Sequence, residues 1–201
     1  MARSLALVAL LLTAPALSQG TSFVNWESPQ THAVDVTPDG QTLAYAATHQ
    51  ADLVSGDWDI WVTQIGGGPP VNRTADHAGD DRYPAWSPDG RQIAFINTDS
   101  FMGGKLQIID AATGKLVRES QDLQVYGNLY FDPTNRRVLG IFHPTNRRPR
   151  LAWFHVQTGE LTNAVADGAW PGPSIGTTGL EWPRIALSHN GKTLAVVVTR
   201  D

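Results

Sequence analysis

An all-β fold of repeated four-stranded antiparallel sheets is predicted by three features of the 201-residue sequence. One hairpin pattern occurs four times: at 34–47 (VDVTPDGQTLAYAA), 83–97 (YPAWSPDGRQIAFIN), 129–143 (LYFDPTNRRVLGIFH) and 185–199 (IALSHNGKTLAVVVT). The turn residues Gly40, Gly90, Asn135 and Gly191 lie 50, 45 and 56 residues apart. The segments that follow them (LAYA, IAFI, VLGI and LAVV) are apolar on both faces, so each sheet has to be covered on both sides. A hairpin unit recurring at this interval is the signature of a β-propeller.

The second hairpin is the clearest. Pro88 presets φ at the first central turn position, Asp89 bonds its own backbone, and Gly90 takes a positive φ without steric cost. Asp-Gly between two apolar runs is a strong hairpin signal.

Each unit then continues. In the first, 57–65 (DWDIWVTQI) reads as a third strand ending at Gly66-Gly67-Gly68, and 69–74 as a fourth, edge strand that tolerates proline. In the second, 106–110 is the third strand, Ala112-Thr113-Gly114 the turn and 115–119 the fourth strand. In the third, 151–156, Gln157-Thr158-Gly159 and 160–165 play the same parts. Gly114 and Gly159 are 45 residues apart, the same interval as the second and third hairpin turns. The units run over about 30–75, 80–120, 125–166 and 181–201, the last incomplete. About three and a half sheets make a poorly closed ring. The chain is then expected to be a fragment of a larger propeller; the alternative is that residues 23–26 complete the last sheet.

Stacking assigns faces. Leu43, Tyr45, Ile93, Phe95, Val138, Leu194 and Val196 are expected in one set of inter-sheet layers, with Ala44, Ala94, Leu139 and Ala195 facing the other way. Trp86 and Tyr130 are expected beside them.

Residues 1–18 read as a signal peptide. Arg3 forms the basic start, 5–12 an apolar run too short to span a bilayer, and Ala16-Leu17-Ser18 a cleavage site before Gln19. An uncleaved anchor is the alternative. The mature chain, 19–201, is expected in the periplasm or outside the cell, with no transmembrane segment. Cysteine is absent, which rules out disulfides and thiolate metal sites. A net charge of −4 argues against nucleic acid as a partner. At 41% apolar and 17% charged residues, the chain has the composition of a globular protein.

Residues 57–97 resemble a known family. Asp59-Ile60-Trp61, Gly67-Gly68, Arg73-Thr74, 84–90 (PAWSPDG) and Ile93-Ala94-Phe95 are similar to the WD-repeat-like propeller of TolB. They also resemble the N-terminal propellers of the prolyl oligopeptidase and dipeptidyl-peptidase families. Residues 25–29, leading into His32, also resemble surface propellers of the YVTN type. The third turn departs from the pattern with Asp132-Pro133-Thr134-Asn135, and the fourth with Ser188-His189-Asn190-Gly191. The resemblance implies the fold. It leaves three functions open: a non-enzymatic scaffold for a cell-envelope or extracellular protein, a gating propeller of a serine peptidase, and a structural or adhesive surface repeat.

No residue is assigned a catalytic, cofactor-binding or metal-binding role, and no cofactor is expected. Gly172-Pro173-Ser174-Ile175-Gly176 matches the G-x-S-x-G pattern, but prolines flank the serine and the required order of acid and histidine is missing. Asp76, His77, Asp80 and Asp81 cluster between the first two units and read as a solvated loop rather than a cation site. His32, His49, His143, His155 and His189 are scattered, which gives no zinc pattern. Arg136-Arg137 and Arg147-Arg148, with Arg150, read as solvated charges on opposite rims. Trp58, Trp61 and Trp153 are expected in the packing; Trp170 and Trp182 border a Pro/Gly loop and are the better candidates for exposure. Asn72-Arg73-Thr74 fits a glycosylation acceptor only in a eukaryotic secretory pathway.

Overall fold

Each hairpin turn is closed by its own side chains. In the first, Thr37 Oγ1 donates to Asp39 Oδ1 (2.6 Å) and accepts from the Thr42 amide (2.9 Å), while Gly40 N donates to Thr37 O (2.8 Å). Ser87 and Asp89 repeat this arrangement in the second turn, and Ser188 and Asn190 in the fourth. The third turn lacks the hydroxyl, and Asp132 performs both tasks. Its Oδ1 accepts the amides of Arg136 (2.9 Å) and Arg137 (3.2 Å); its Oδ2 accepts the Thr134 hydroxyl (2.9 Å) and Arg137 Nε (3.0 Å). Asn135 takes the left-handed position at φ 59°, where the other turns carry glycine.

The computed structural model describes residues 34–48, 58–98, 103–121, 123–145, 149–165, 184–188 and 190–197. They form fourteen strands in four antiparallel sheets. Sheet I holds β1 (Val34–Val36), β2 (Thr42–Thr48), β3 (Trp58–Gln64) and β4 (Val71–Asn72). Sheet II holds β5 (Asp80–Trp86), β6 (Gln92–Thr98), β7 (Lys105–Asp110) and β8 (Leu116–Glu119). Sheet III holds β9 (Leu123–Phe131), β10 (Arg137–Pro144), β11 (Arg150–His155) and β12 (Leu161–Asn163). Sheet IV is described only as the hairpin β13 (Arg184–Leu187) and β14 (Leu194–Val197). Within each sheet every strand pairs with its chain neighbour, and no described sheet closes on itself.

The faces fall as the apolar pattern predicts. Ala44, Ala46, Trp58, Ile60 and Val62 of sheet I meet Trp86, Ile93, Phe95 and Ile109 of sheet II. Ala94, Ile96, Leu106 and Ile108 on the other side of sheet II meet Val138, Phe142, Ala152 and Phe154 of sheet III. Leu139, Ile141 and Leu151 then meet Ile185, with Leu194 packed against them. Phe142 and Phe154 stack at 6.1 Å between centroids. Each fully buried phenylalanine contributes on the order of 1.5–3 kcal/mol. Leu43 and Tyr45 share the expected face but are only half-buried, because no described sheet lies on that side of sheet I. Ala195, facing away from sheet III, is exposed for the same reason.

Several boundaries move. The fourth strand of unit one shrinks to Val71–Asn72, since Pro69 and Pro70 have no amide to donate. β5 begins at Asp80, inside the stretch read as a solvated loop, and β9 begins at Leu123, six residues before the apolar hairpin. The signal segment, residues 22–28, His32, His49, Arg147, Arg148, Trp170, Ser174, Trp182 and His189 lie outside the described residues. Among the described residues no helix is long and apolar enough to cross a membrane.

Candidate functional site

The first strands of the sheets are neighbours: β1 packs beside β5, β5 beside β9, and β9 beside β13. They form one wall, and the polar groups on it span from sheet to sheet. Asp35 Oδ2 accepts the amide of Trp86 across the first seam at 2.6 Å, while its Oδ1 accepts Val36 N at 2.9 Å. Burial pushes the Asp35 carboxyl up, against the lowering effect of those two amides. Tyr130 Oη donates to the carbonyl of Ile185 across the third seam at 2.6 Å. Burial raises the Tyr130 phenol; the Asn128 side chain lowers it and the Asp35 charge raises it further.

Two of these strands are bulged at the same level. On β5, Arg82 pairs with Ile96 and Ala85 with Ala94, so one extra residue sits between them. On β9, Tyr126 pairs with Ile141 and Tyr130 with Leu139, so two extra residues intervene. The chain accommodates the first bulge with Tyr83 at φ 58°, a conformation rarely held by a non-glycine residue, and the second with Gly127. Such strain persists only where the surroundings impose it. Tyr83 looks like an ordinary strand residue in the sequence; a count of one pleat against the other across the finished hairpin is needed to find it.

A second polar group fills the seam between sheets I and II. The Thr74 hydroxyl accepts the Ile60 amide at 2.9 Å and lies 3.5 Å from Asp59 Oδ1, while Asn72 Nδ2 donates to Asp59 Oδ2 at 2.7 Å. Asn97 Nδ2 donates to Asp81 Oδ1 (2.7 Å) and to the Ala78 carbonyl (2.8 Å). His77 Nδ1 lies 3.4 Å from Asp81 Oδ2, and its ring tilts against Phe95 at 5.8 Å. Arg82 pairs with Asp80 at 2.8 Å and lies over the Trp58 ring. The acidic cluster is therefore only partly the solvated loop expected of it. Asp76 is exposed, but Asp81 is fully buried on β5 and Asp80 is half-buried. Among the described residues no three His, Asp or Glu are grouped to hold a metal ion.

Outer strands are tied across the seams as well. Arg118 on β8 donates from Nε to the carbonyl of Val156 at 3.0 Å, and from Nη2 to the carbonyl of Gln157. Ser120 repeats the role of Thr74, accepting the Leu106 amide at 3.0 Å. Arg137 is held by Asp132 and lies over Trp153 at 4.6 Å, so it is not a free surface charge. Trp58 is buried, and Trp61 and Trp153 are half-buried within the packing. His143 sits 3.3 Å from the Tyr126 hydroxyl, and His155 3.3 Å from that of Thr162.

Four-stranded antiparallel sheets stacked face to face, with their first strands side by side, define a β-propeller of the TolB type. The solved structure of TolB from Acinetobacter baumannii matches 84% of this chain and 38% of its own, with a TM-score of 0.58 at 18% identity. A chain of the nidogen/laminin complex matches at a TM-score of 0.51 and 13% identity, covering 79% of this chain and 52% of that one. By sequence, 86 residues (39% of the chain) are 37% identical to dipeptidyl-peptidase 5 of Porphyromonas gingivalis. A stretch of 69 residues (33%) is 30% identical to dipeptidyl-peptidase 5 of Porphyromonas endodontalis. These stretches span only 13% and 10% of the two peptidases. No family model matches the chain.

Proposed function

We propose that this chain is part of the propeller of an exported, dipeptidyl-peptidase-type protein, and that it recognises and admits polypeptide rather than cleaving it. The observation that carries this reading is the 37% identity to dipeptidyl-peptidase 5 over 86 residues, well above the 18% identity to TolB. Asp35 and Tyr130, the polar groups that reach across the inner wall, are engaged in holding neighbouring sheets together. Export is supported by Arg3, the apolar run 5–12 and Ala16-Leu17-Ser18. Units at about 30–75, 80–120, 125–166 and 181–201 are the divisions proposed for the array.

The test is to express the product of the complete natural reading frame and this 201-residue chain side by side, and to measure release of N-terminal dipeptides from a chromogenic substrate. Activity is expected in the former, blocked by a serine-directed inhibitor, and not in the latter. A natural reading frame without a hydrolase region overturns the proposal. It would leave the second reading, a non-enzymatic scaffold for a cell-envelope or extracellular protein, supported by the fold match over 84% of the chain. Recovery of one envelope protein by crosslinking would then be the expected result.

A further inference from the structure

His77 and Asp81 meet in the seam between sheets I and II under unusual conditions. Asp81 is fully buried, and the His77 side chain beside it is 21% exposed. Asp81 Oδ2 and His77 Nδ1 are both buried and neither holds a hydrogen bond, although they are 3.4 Å apart. The other carboxylate oxygen is already occupied by Asn97, which also grips the Ala78 carbonyl and so fastens the linking segment to β6. A proton carried by Asp81 satisfies both orphaned atoms, the carboxyl group donating to the imidazole nitrogen.

We propose that His77 and Asp81 form a proton-operated latch that ties the segment linking sheets I and II to the inner strand of sheet II and loosens when the proton leaves. The surroundings set the direction. Asp59 on β3 and Asp80 on β5 both bring negative charge towards Asp81, Arg82 is engaged with Asp80, and Asn97 and Thr74 offer only neutral donors. Burial, joined by the Asp59 and Asp80 charges and opposed by Asn97 and Thr74, pushes the Asp81 carboxyl from 3.8 up to about 7. An acid raised in this way keeps its proton in the folded chain at pH values where the unfolded chain has lost it. Stability therefore falls as pH rises from about 4 to about 7, and stays at the lower level above that. The device acts near neutrality, and it acts on β5, one of the first strands that form the wall.

The test follows the Asp81 side-chain carbon by NMR in ¹³C-aspartate-labelled chain, together with amide exchange at His77 and Asp81. The carboxyl is expected to titrate near neutrality, with protection at those amides falling about tenfold, beyond the intrinsic pH effect, between about pH 6 and about pH 8. Asp81→Asn keeps a neutral donor facing His77 and is expected to abolish the step, holding protection at its low-pH level. Titration of Asp81 near the ordinary carboxylate value overturns the proposal, as does a step that survives in Asp81→Asn. Should that variant fail to fold, the wild-type titration decides alone.

Discussion

Arg118 Nε lies 3.0 Å from the carbonyl oxygen of Val156, so a side chain on the outer strand of sheet II closes the last turn of sheet III. Its second bond, from Nη2 to Gln157, makes the guanidinium a fork on two consecutive carbonyls. Replacing Arg118 with alanine removes both donors and leaves the carbonyl of the buried Val156 without this partner. A loss of about 1–3 kcal/mol is expected in chemical denaturation. Arg118→Lys should recover only part of it, because an ammonium group cannot reproduce the planar fork.

The seam between sheets I and II depends on a close backbone approach. Gly114 sits at φ +74°, and a Cβ there would lie 2.4 Å from the Arg73 carbonyl oxygen. Gly114→Ala therefore has to separate the sheets as well as adopt a left-handed backbone, at a combined cost of about 2–4 kcal/mol. Gly66→Ala is the comparison. Gly66 also has a positive φ, but nothing lies within 4 Å of the added carbon, so only the backbone cost of about 1–2 kcal/mol should appear. Equal losses in the two variants would argue against close packing at Arg73.

Thr74 contributes through its hydroxyl rather than its methyl group. Thr74→Val keeps the shape but orphans the Ile60 amide, and is expected to cost about 1–3 kcal/mol. Thr74→Ser should stay within about 1 kcal/mol of the parent, since Ser120 performs the same task for Leu106 in the next sheet. Thermal unfolding of the two variants separates these outcomes.

The third turn predicts an acid limb. Burial raises the Asp132 carboxyl, but Arg137, Thr134 and the amides of Arg136 and Arg137 together outweigh it and hold the group below its usual value. The stability it confers is therefore complete above about pH 4 and lost as pH falls through the depressed value. Asp132→Asn should flatten stability against pH in that acid range. An unchanged acid limb in this variant would show that Asp132 is not its source. Exposed Asp39 is lowered in the same direction, the Thr37 hydroxyl being the largest cause, and supplies a smaller remainder.

The alternation of Ile93 with Ala94 and of Val138 with Leu139 was enough to separate these residues onto opposite faces, because successive strand residues point to opposite sides; which sheet each face meets came from the packing. The turn chemistry was legible for the same local reason, and the substitution at Asp132 preserved the function of the turn with different atoms. The polar seam was less legible. Asp80 and Asp81 look like loop residues because acidic side chains are seldom buried. Only their place in β5, opposite Asn97 and beneath His77, explains why Asp81 is enclosed. Arg118 gave no signal at all, since its partners are backbone carbonyls 38 and 39 residues away.

By itself, the sequence determined the repeat, the four turns and which strand residues face inward, since each depends on φ preferences and a two-residue period acting over a few neighbours. Only the tertiary structure decided which polar groups are spent between sheets: Asp35 on Trp86, Tyr130 on Ile185, Arg118 on Val156. It also decided where a carboxylate is cut off from water. Such pairings are fixed by the rotation and spacing of whole sheets. A buried donor or acceptor takes whatever partner that packing brings within about 3 Å of it.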